Sequence, residues 1–117
     1  MTTTEVANRL VDLCRMGQIL QAGQELYAEN IVSLEPSYAR TPKATGLKAV
    51  AEKGHQLAAM IEQVHSASIS DPTVEGNFFS IGWNMDVTMK GQGRQSMQEI
   101  CVYKVNNGKI VEEQFFY

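Results

Sequence analysis

The first half of the chain carries apolar residues every three or four positions, which is the spacing of one face of an α-helix. A first helix is predicted from about Thr4, its candidate cap, to Met16, and Gly17 suits the left-handed turn that ends helices. A second helix is predicted to close near Asn30. The longest helix is predicted from Gly46 to Gln63.

The other segments alternate apolar and polar residues, as strands with one buried face do. A short strand is predicted from Ile31 to Glu35, because Pro36 cannot donate to a central ladder. The run from Pro36 to Thr45 is predicted as a mobile loop at the rim of a site. Four antiparallel strands are predicted after the long helix, at Val64–Ser70, Asn77–Met89, Gln95–Val105 and Lys109–Phe116. Asn106-Asn107-Gly108 predicts a hairpin between the last two.

This order of elements predicts an α+β fold, with three helices packed on one face of a curved, mainly antiparallel sheet. The strand predicted from Asn77 to Met89 has a fully apolar face that must meet the helices. That face consists of Phe79, Ile81, Trp83, Met85 and Val87. Its other face is small and polar, with Ser80, Gly82, Asn84, Asp86 and Thr88. Because strands of this length span about 36 Å, the sheet must curve, and a cone-shaped α+β barrel with an internal cavity is expected.

Composition narrows the classes of function. The chain has 117 residues and a formal net charge of −3, so one domain over residues 1–117 is predicted. Scattered Lys and Arg residues argue against nucleic-acid binding, and no apolar run reaches the ~20 residues of a membrane-spanning helix. The start of the chain lacks the pattern of a signal peptide, so a cytoplasmic location is expected. Cys14 and Cys101 are predicted as buried thiols.

Two stretches carry a resemblance to a known family. The segment YAENIVSLEP from Tyr27 to Pro36, with the terminal GKIVEEQFFY, resembles the nuclear transport factor two-like superfamily. Within it the chain is most similar to SnoaL-like proteins, small relatives of polyketide cyclases and of ketosteroid isomerase. The resemblance implies a curved sheet wrapped on three helices, an apolar pocket in the cone and a homodimer.

The same resemblance singles out Glu35. Counted without a gap from Tyr27 to Pro36, Glu35 takes the place of the aspartate that serves ketosteroid isomerase as general base. A carboxylate that opens into an apolar cone is suited to take a proton from carbon next to a carbonyl. The positions of the isomerase's two oxyanion donors fall near Leu10 or Val11 and near Cys101, which are not such donors. The alternatives for Glu35 are a solvated side chain or an ion pair with Arg40.

Other polar residues are candidates for the same site. Glu99 alternates with Cys101 and Tyr103 along one strand, which predicts a second catalytic carboxyl group at the wide end of the cavity. The alternative is a cross-strand ion pair of Glu99 with Lys90 or Arg94. Tyr27 and Tyr103 are candidate ligand-binding hydroxyl donors, unless their hydroxyl groups are buried and satisfied by the backbone.

His65, Trp83 and Phe115 complete the set of candidate ligand-binding residues. His65 is predicted on the same face as Ala67 and Ile69, and its imidazole could titrate near neutral pH. A core role is the alternative for Trp83 and Phe115, and a satisfied core or surface side chain is the alternative for His65. No His, Cys or carboxylate residues have metal-ligand spacing, so neither a metal nor a cofactor is expected.

Two functions from different classes follow from these residues. The first is a SnoaL-like protein that binds a small, mostly apolar molecule without an assigned reaction. The second is a proton-transfer enzyme, such as an isomerase, cyclase or dehydratase, that acts on a carbonyl compound with Glu35 as the base. A homodimer through the small polar sheet face is predicted in either case.

Overall fold

A computed structural model describes all residues from Met1 to Tyr117 and contains three α-helices. They are α1 (Thr3–Arg15), α2 (Ile19–Leu26) and α3 (Leu47–Met60). The cap of α1 is Thr2 rather than Thr4, because Thr2 and Glu5 exchange the two hydrogen bonds of a capping box. Gly17 has a φ of 75°, as the end of α1 requires. No helix is both long and apolar enough to cross a membrane.

Seven strands form the sheet. They are β1 (Tyr27–Leu34), β2 (Lys43–Thr45), β3 (Ile61–Ile69), β4 (Thr73–Glu75), β5 (Phe78–Met89), β6 (Gly93–Asn106) and β7 (Lys109–Phe116). Three predicted boundaries around β1 were wrong, namely the end of the second helix and both ends of the strand. The second helix ends at Leu26 instead of Asn30, so β1 begins four residues before the predicted Ile31 and ends at Leu34. Pairing with β7 accounts for the extension, since Tyr27 already pairs with Ile110.

The predicted loop from Pro36 to Thr45 is also partly wrong. Its last three residues form β2, which pairs antiparallel with β1. The long helix was predicted to run to Gln63, but β3 begins at Ile61 because Ile61 already pairs with Met89. The short β4 was missed because Asp, Pro and Gly surround it and are typical of turns.

The sheet order is β2-β1-β7-β6-β5-β3, with β4 paired to β5. All pairs are antiparallel except β1 with β7, which is parallel. The predicted α+β fold is therefore confirmed, as a curved mixed sheet that is open rather than closed. Asn107 and Gly108, with φ values of 51° and 76°, form the predicted hairpin turn between β6 and β7.

The predicted alternation along β5 is confirmed. Phe79, Ile81 and Val87 are buried, while the alternate positions Ser80 to Thr88 lie on the outer face. The β6 residues that pair with the inner positions of β5 extend the inner face toward β7. The inner-face residues of β6 are Tyr103, Cys101, Glu99, Met97 and Gln95.

The inner face divides into a closed half and an open half. The closed half lies under the helices and contains the buried Phe79, Ile81 and Tyr103. In the open half Val87 and Met89 are buried, but the other apolar side chains are only half-buried or exposed. These side chains are Trp83, Met85, Met97, Phe115 and, on β3, Val64 and Ala67. Helix α3 buries only Val50 fully, and Leu57 and Met60 in its C-terminal half are exposed.

Candidate functional site

Lys53 on α3 lies over β1 and β7 and brings several candidate residues together. Its Nζ donates to Ser33 Oγ on β1 and lies 3.4 Å from Glu35 Oε1. The same ammonium group sits 5.1 Å from the ring centre of Phe115, close enough for a cation–π contact. The side chains of Lys53 and Glu35 are 17% and 18% exposed, so this ion pair is largely removed from water.

Glu113 lies beneath this pair and is only 3% exposed. Tyr27 donates its hydroxyl hydrogen to Glu113 Oε1, and Ser33 donates to Glu113 Oε2 at 2.7 Å. Burial raises the pKa of Glu113, although the hydrogen bonds from Tyr27 and Ser33 and the charge of Lys53 act in the opposite direction. Tyr27, Glu113, Ser33, Lys53 and Glu35 thus form one continuous chain of contacts, which we call the buried polar chain.

Glu99 lies on the inner face and accepts a hydrogen bond from the Cys101 thiol at 3.5 Å. Burial raises the pKa of Glu99, and the negative charges of Glu35 and Glu113 raise it further. The alternative ion pair of Glu99 with Lys90 or Arg94 is wrong. Arg94 instead bonds Asp86 on the outer face, with 2.8 Å between Nη2 and Oδ2.

Glu35 forms an ion pair with a different residue from the Arg40 that was considered from the sequence. The ion pair is with Lys53, not with Arg40, because α3 packs across the end of β1. Its second oxygen, Oε2, is buried and has no hydrogen-bond partner. Trp83 Nε1 is the other buried side-chain polar atom without a partner, and it also lies on the inner face. The predicted site therefore contains one buried acceptor atom and one buried donor atom without a hydrogen-bond partner.

The two tyrosines differ in their surroundings. Tyr103 is 2% exposed and stacks on Phe79 with ring centres 4.7 Å apart, so it belongs to the closed half of the core. The hydroxyl of Tyr27 is satisfied by the Glu113 carboxylate rather than by the backbone. Phe115 faces inward over Lys53, while Phe116 lies on the outer face opposite Ile100.

The predicted placement of His65 on the face of Ala67 and Ile69 is wrong. Val64 pairs with Val87, and the next pair along the two strands is Ser66 with Asp86. β3 therefore has one residue more than β5 at this point, and this bulge turns His65 to the outer face. There its Nε2 lies 2.6 Å from Thr88 Oγ1. His65 is exposed and separated by the sheet from Lys53.

The rim of the site contains two aromatic residues. Tyr38, in the turn that follows β1, donates its hydroxyl hydrogen to the backbone carbonyl of Tyr117, and the two rings meet edge to face at 6.1 Å. Partial burial, followed by the negative charge of Glu35, raises the pKa of Tyr117 to about 12. The first half of the predicted loop therefore lies near Glu35. Its place at the rim of a ligand site and its mobility stay predictions.

Sequence reasoning missed Lys53, Ser33 and Glu113. Two of them had a visible signal, because Ser33 and Glu113 alternate with the inward positions Glu35 and Phe115. Lys53 lies one helical turn after the buried Val50, which places it on the packed face of α3. No group of three or more His, Cys, Asp or Glu side chains is arranged to hold a metal ion.

Comparison with known proteins agrees with this architecture. The sequence model of the SnoaL-like domain matches residues 1–117. A protein from Mesorhizobium loti, named as a candidate SnoaL-like polyketide cyclase, is 33% identical over 100% of both chains, with a TM-score of 0.93. A Xanthomonas campestris protein with a cystatin-like fold has a TM-score of 0.84 at 14% identity, over 99% of this chain and 90% of that one.

A third structure is more distant in sequence. It is a Catenulispora acidiphila protein with a ketosteroid isomerase-like fold, solved with trimethylamine, at 18% identity and a TM-score of 0.75 over 97% of this chain and 85% of that one. No curated protein matches the sequence. The fold is that of the nuclear transport factor two-like and ketosteroid isomerase-like proteins. Within that class, the chain belongs to the SnoaL-like domain family.

The raised pKa of Glu113 predicts how stability depends on pH. The folded protein holds the proton of the Glu113 carboxyl group more tightly than the unfolded chain does, because glutamates of the unfolded chain titrate near ~4.3. The free energy of unfolding should therefore fall as the pH rises from the unfolded value through the folded one, and then level off. Glu113→Gln should reduce this fall, and Glu112→Gln, on the outer face, should not.

Urea unfolding of the wild type and both variants between about pH 4 and pH 8 measures these slopes. Equal slopes for the wild type and Glu113→Gln would contradict the prediction.

Proposed function

We propose that the inner face binds a small, mostly hydrophobic molecule that carries a polar group for Glu35. The observation that carries this proposal is the pair of buried atoms without partners, Glu35 Oε2 and Trp83 Nε1. Buried polar atoms are nearly always hydrogen-bonded, so each such exception needs an explanation. A ligand with a hydrogen-bond donor for the carboxylate would satisfy Glu35.

The open half of the inner face supports an apolar body for this ligand. Its half-buried side chains include the thioethers of Met85 and Met97, which adapt to irregular shapes. Trp83 and Phe115 add flat aromatic surface next to them. Covering these side chains would contribute roughly 25 cal/mol for each Å² of apolar surface removed from water.

A second candidate is a proton-transfer enzyme with Glu35 as the base. One observation favours it, since Glu35 keeps one oxygen bound near Lys53 and leaves the other free. A base must reach its proton within hydrogen-bond distance, and a free oxygen satisfies that condition. Incorporation of deuterium at the α carbon of a bound ketone would distinguish this enzyme from a protein that only binds.

Binding can be followed through Trp83, which is the only tryptophan of the chain. We expect 2-tetralol, a bicyclic alcohol, to shift the single indole N–H signal in a saturable way. Glu35→Gln should weaken this binding about tenfold or more, because a hydrogen bond to a charged group is lost. Glu52→Gln, an exposed change on α3, should leave the affinity unchanged. No shift at millimolar 2-tetralol, or equal affinity in Glu35→Gln, would refute the proposed contact.

We also propose that two copies of the chain pair through the outer face of the sheet. Ile100 and Phe116 are neighbours on this face and are 56% and 48% exposed. They border a shallow depression of about 360 Å³ that Gly82 helps to line. Exposed apolar side chains around a concave surface are typical of an interface, and a two-fold axis would bring this patch against itself.

Light scattering should give twice the chain mass of 13.0 kDa for the wild type. Ile100→Asp should give the monomer mass, because it places a charge in the centre of the patch. The matched control is Leu20→Asp, which changes a 48% exposed residue on α2. A wild type of monomer mass at micromolar concentration, or a dimer that survives Ile100→Asp, would count against this interface.

A further inference from the structure

Proton removal next to a carbonyl needs a donor for the charge that develops on the oxygen. The two positions that resemblance assigns to such donors do not supply one here. Leu10 and Val11 are apolar and buried, and the Cys101 thiol is directed to Glu99. Tyr27 gives its hydroxyl hydrogen to Glu113. A donor must therefore come from elsewhere in the site.

We propose that Lys53 is this donor and that Lys53 Nζ and Glu35 Oε2 act together on a carbonyl compound. The inference rests on the proposed binding of a small molecule next to Glu35. It adds a catalytic residue and names the functional group that the ligand must carry. Lys53 lies on α3, whereas the positions that the resemblance assigns to the donors of ketosteroid isomerase lie on α1 and β6.

The hydrogen bonds around Lys53 leave donor capacity for a ligand. An ammonium group has three N–H donors. One is taken by Ser33 Oγ, and the contact with Glu35 Oε1 is long at 3.4 Å. The remaining contact is the face of Phe115, which accepts no conventional hydrogen bond. A carbonyl oxygen can therefore approach Nζ without displacing Ser33.

Three carboxyl groups surround the ammonium group of Lys53. Glu35 is in contact with its ammonium group, and Glu113 is linked to it through Ser33. Glu99, on the inner face of β6, adds a third carboxyl group, and the charges of Lys53 and Glu99 influence each other. Little water reaches Lys53, so its charge acts on a bound oxygen with little screening.

The proposed step conserves atoms and electrons. The C–H bond at the α carbon breaks and its proton moves to Glu35 Oε2. The electron pair of that bond forms a carbon–carbon double bond, and the carbonyl π electrons move onto the oxygen. Lys53 Nζ donates a hydrogen bond to this enolate oxygen. Return of a proton from Glu35 to carbon reverses the step, so no oxidant, reductant or second substrate is needed.

Exchange of the α protons of 2-tetralone in D₂O tests the proposal by NMR. We expect the wild type to accelerate exchange above the buffer rate. Lys53→Met should lower the protein-catalysed rate by about 10² to 10³-fold, the usual cost of one oxyanion donor. Lys53→Arg, which keeps a charged donor, should recover part of this loss. Lys48→Met, an exposed change on the same helix, should leave the rate unchanged.

Circular dichroism and the affinity for 2-tetralol establish that the variants fold and bind. Absence of wild-type exchange overturns the role of Lys53, even where 2-tetralol binds and the proposed binding function stands. A Lys53→Met rate within threefold of the wild type overturns it as well. Failure of 2-tetralol to bind would instead refute the binding function.

Discussion

The contact between Lys53 and Ser33 joins the long helix to the part of the sheet where β1 and β7 run parallel. Through Ser33 it reaches Glu113, a carboxyl group that is almost fully buried. Removing one partner of a buried ionic group leaves the other uncompensated and is strongly destabilising. The position of α3 over the sheet and the direction of Glu35 therefore depend on this ammonium group, whose charge also lowers the pKa of Glu113 against the larger effect of burial.

This arrangement also explains why the inner face is closed at one end and open at the other. Helices α1 and α2 contribute eight of the nine buried apolar residues that lie on helices, and they cover the half of the sheet that contains Phe79 and Tyr103. Helix α3 is held at its middle by Lys53, while its second half, including Leu57, stays exposed. In the open half the polar contacts of Lys53 thus hold α3 on the sheet, whereas in the closed half apolar packing holds α1 and α2 there.

Much of this fold could be predicted from the sequence, because its signals are local. The alternation along β5 and the Asn107-Gly108 turn are determined by neighbouring residues, and the structure confirms both. The start of β1 and the strand β2 could not be located in this way, since pairing with distant segments decides where they begin. The same holds for His65, which a bulge of one residue turns to the outer face.

The site was predicted only in part for the same reason. Glu35 was singled out by the family resemblance, and Glu99 by its alternation with Cys101 and Tyr103 along one strand. Their partners were not, because the sequence suggests nearby cations such as Arg40 and Arg94. The cation that reaches Glu35 is Lys53, 18 positions away on another element. Burial of a lysine depends on how a helix is placed across a sheet, and that is a property of tertiary packing.

The central claim is that Lys53 and Glu113 belong to one coupled buried chain, although Ser33 lies between them. A double-mutant cycle with Lys53→Met and Glu113→Gln, followed by urea unfolding at neutral pH, measures this coupling directly. We expect a coupling free energy of about 1 kcal/mol or more, with the double variant more stable than the sum of the single changes implies. Single effects that add to within about 0.5 kcal/mol would show two independent residues and would contradict this coupling.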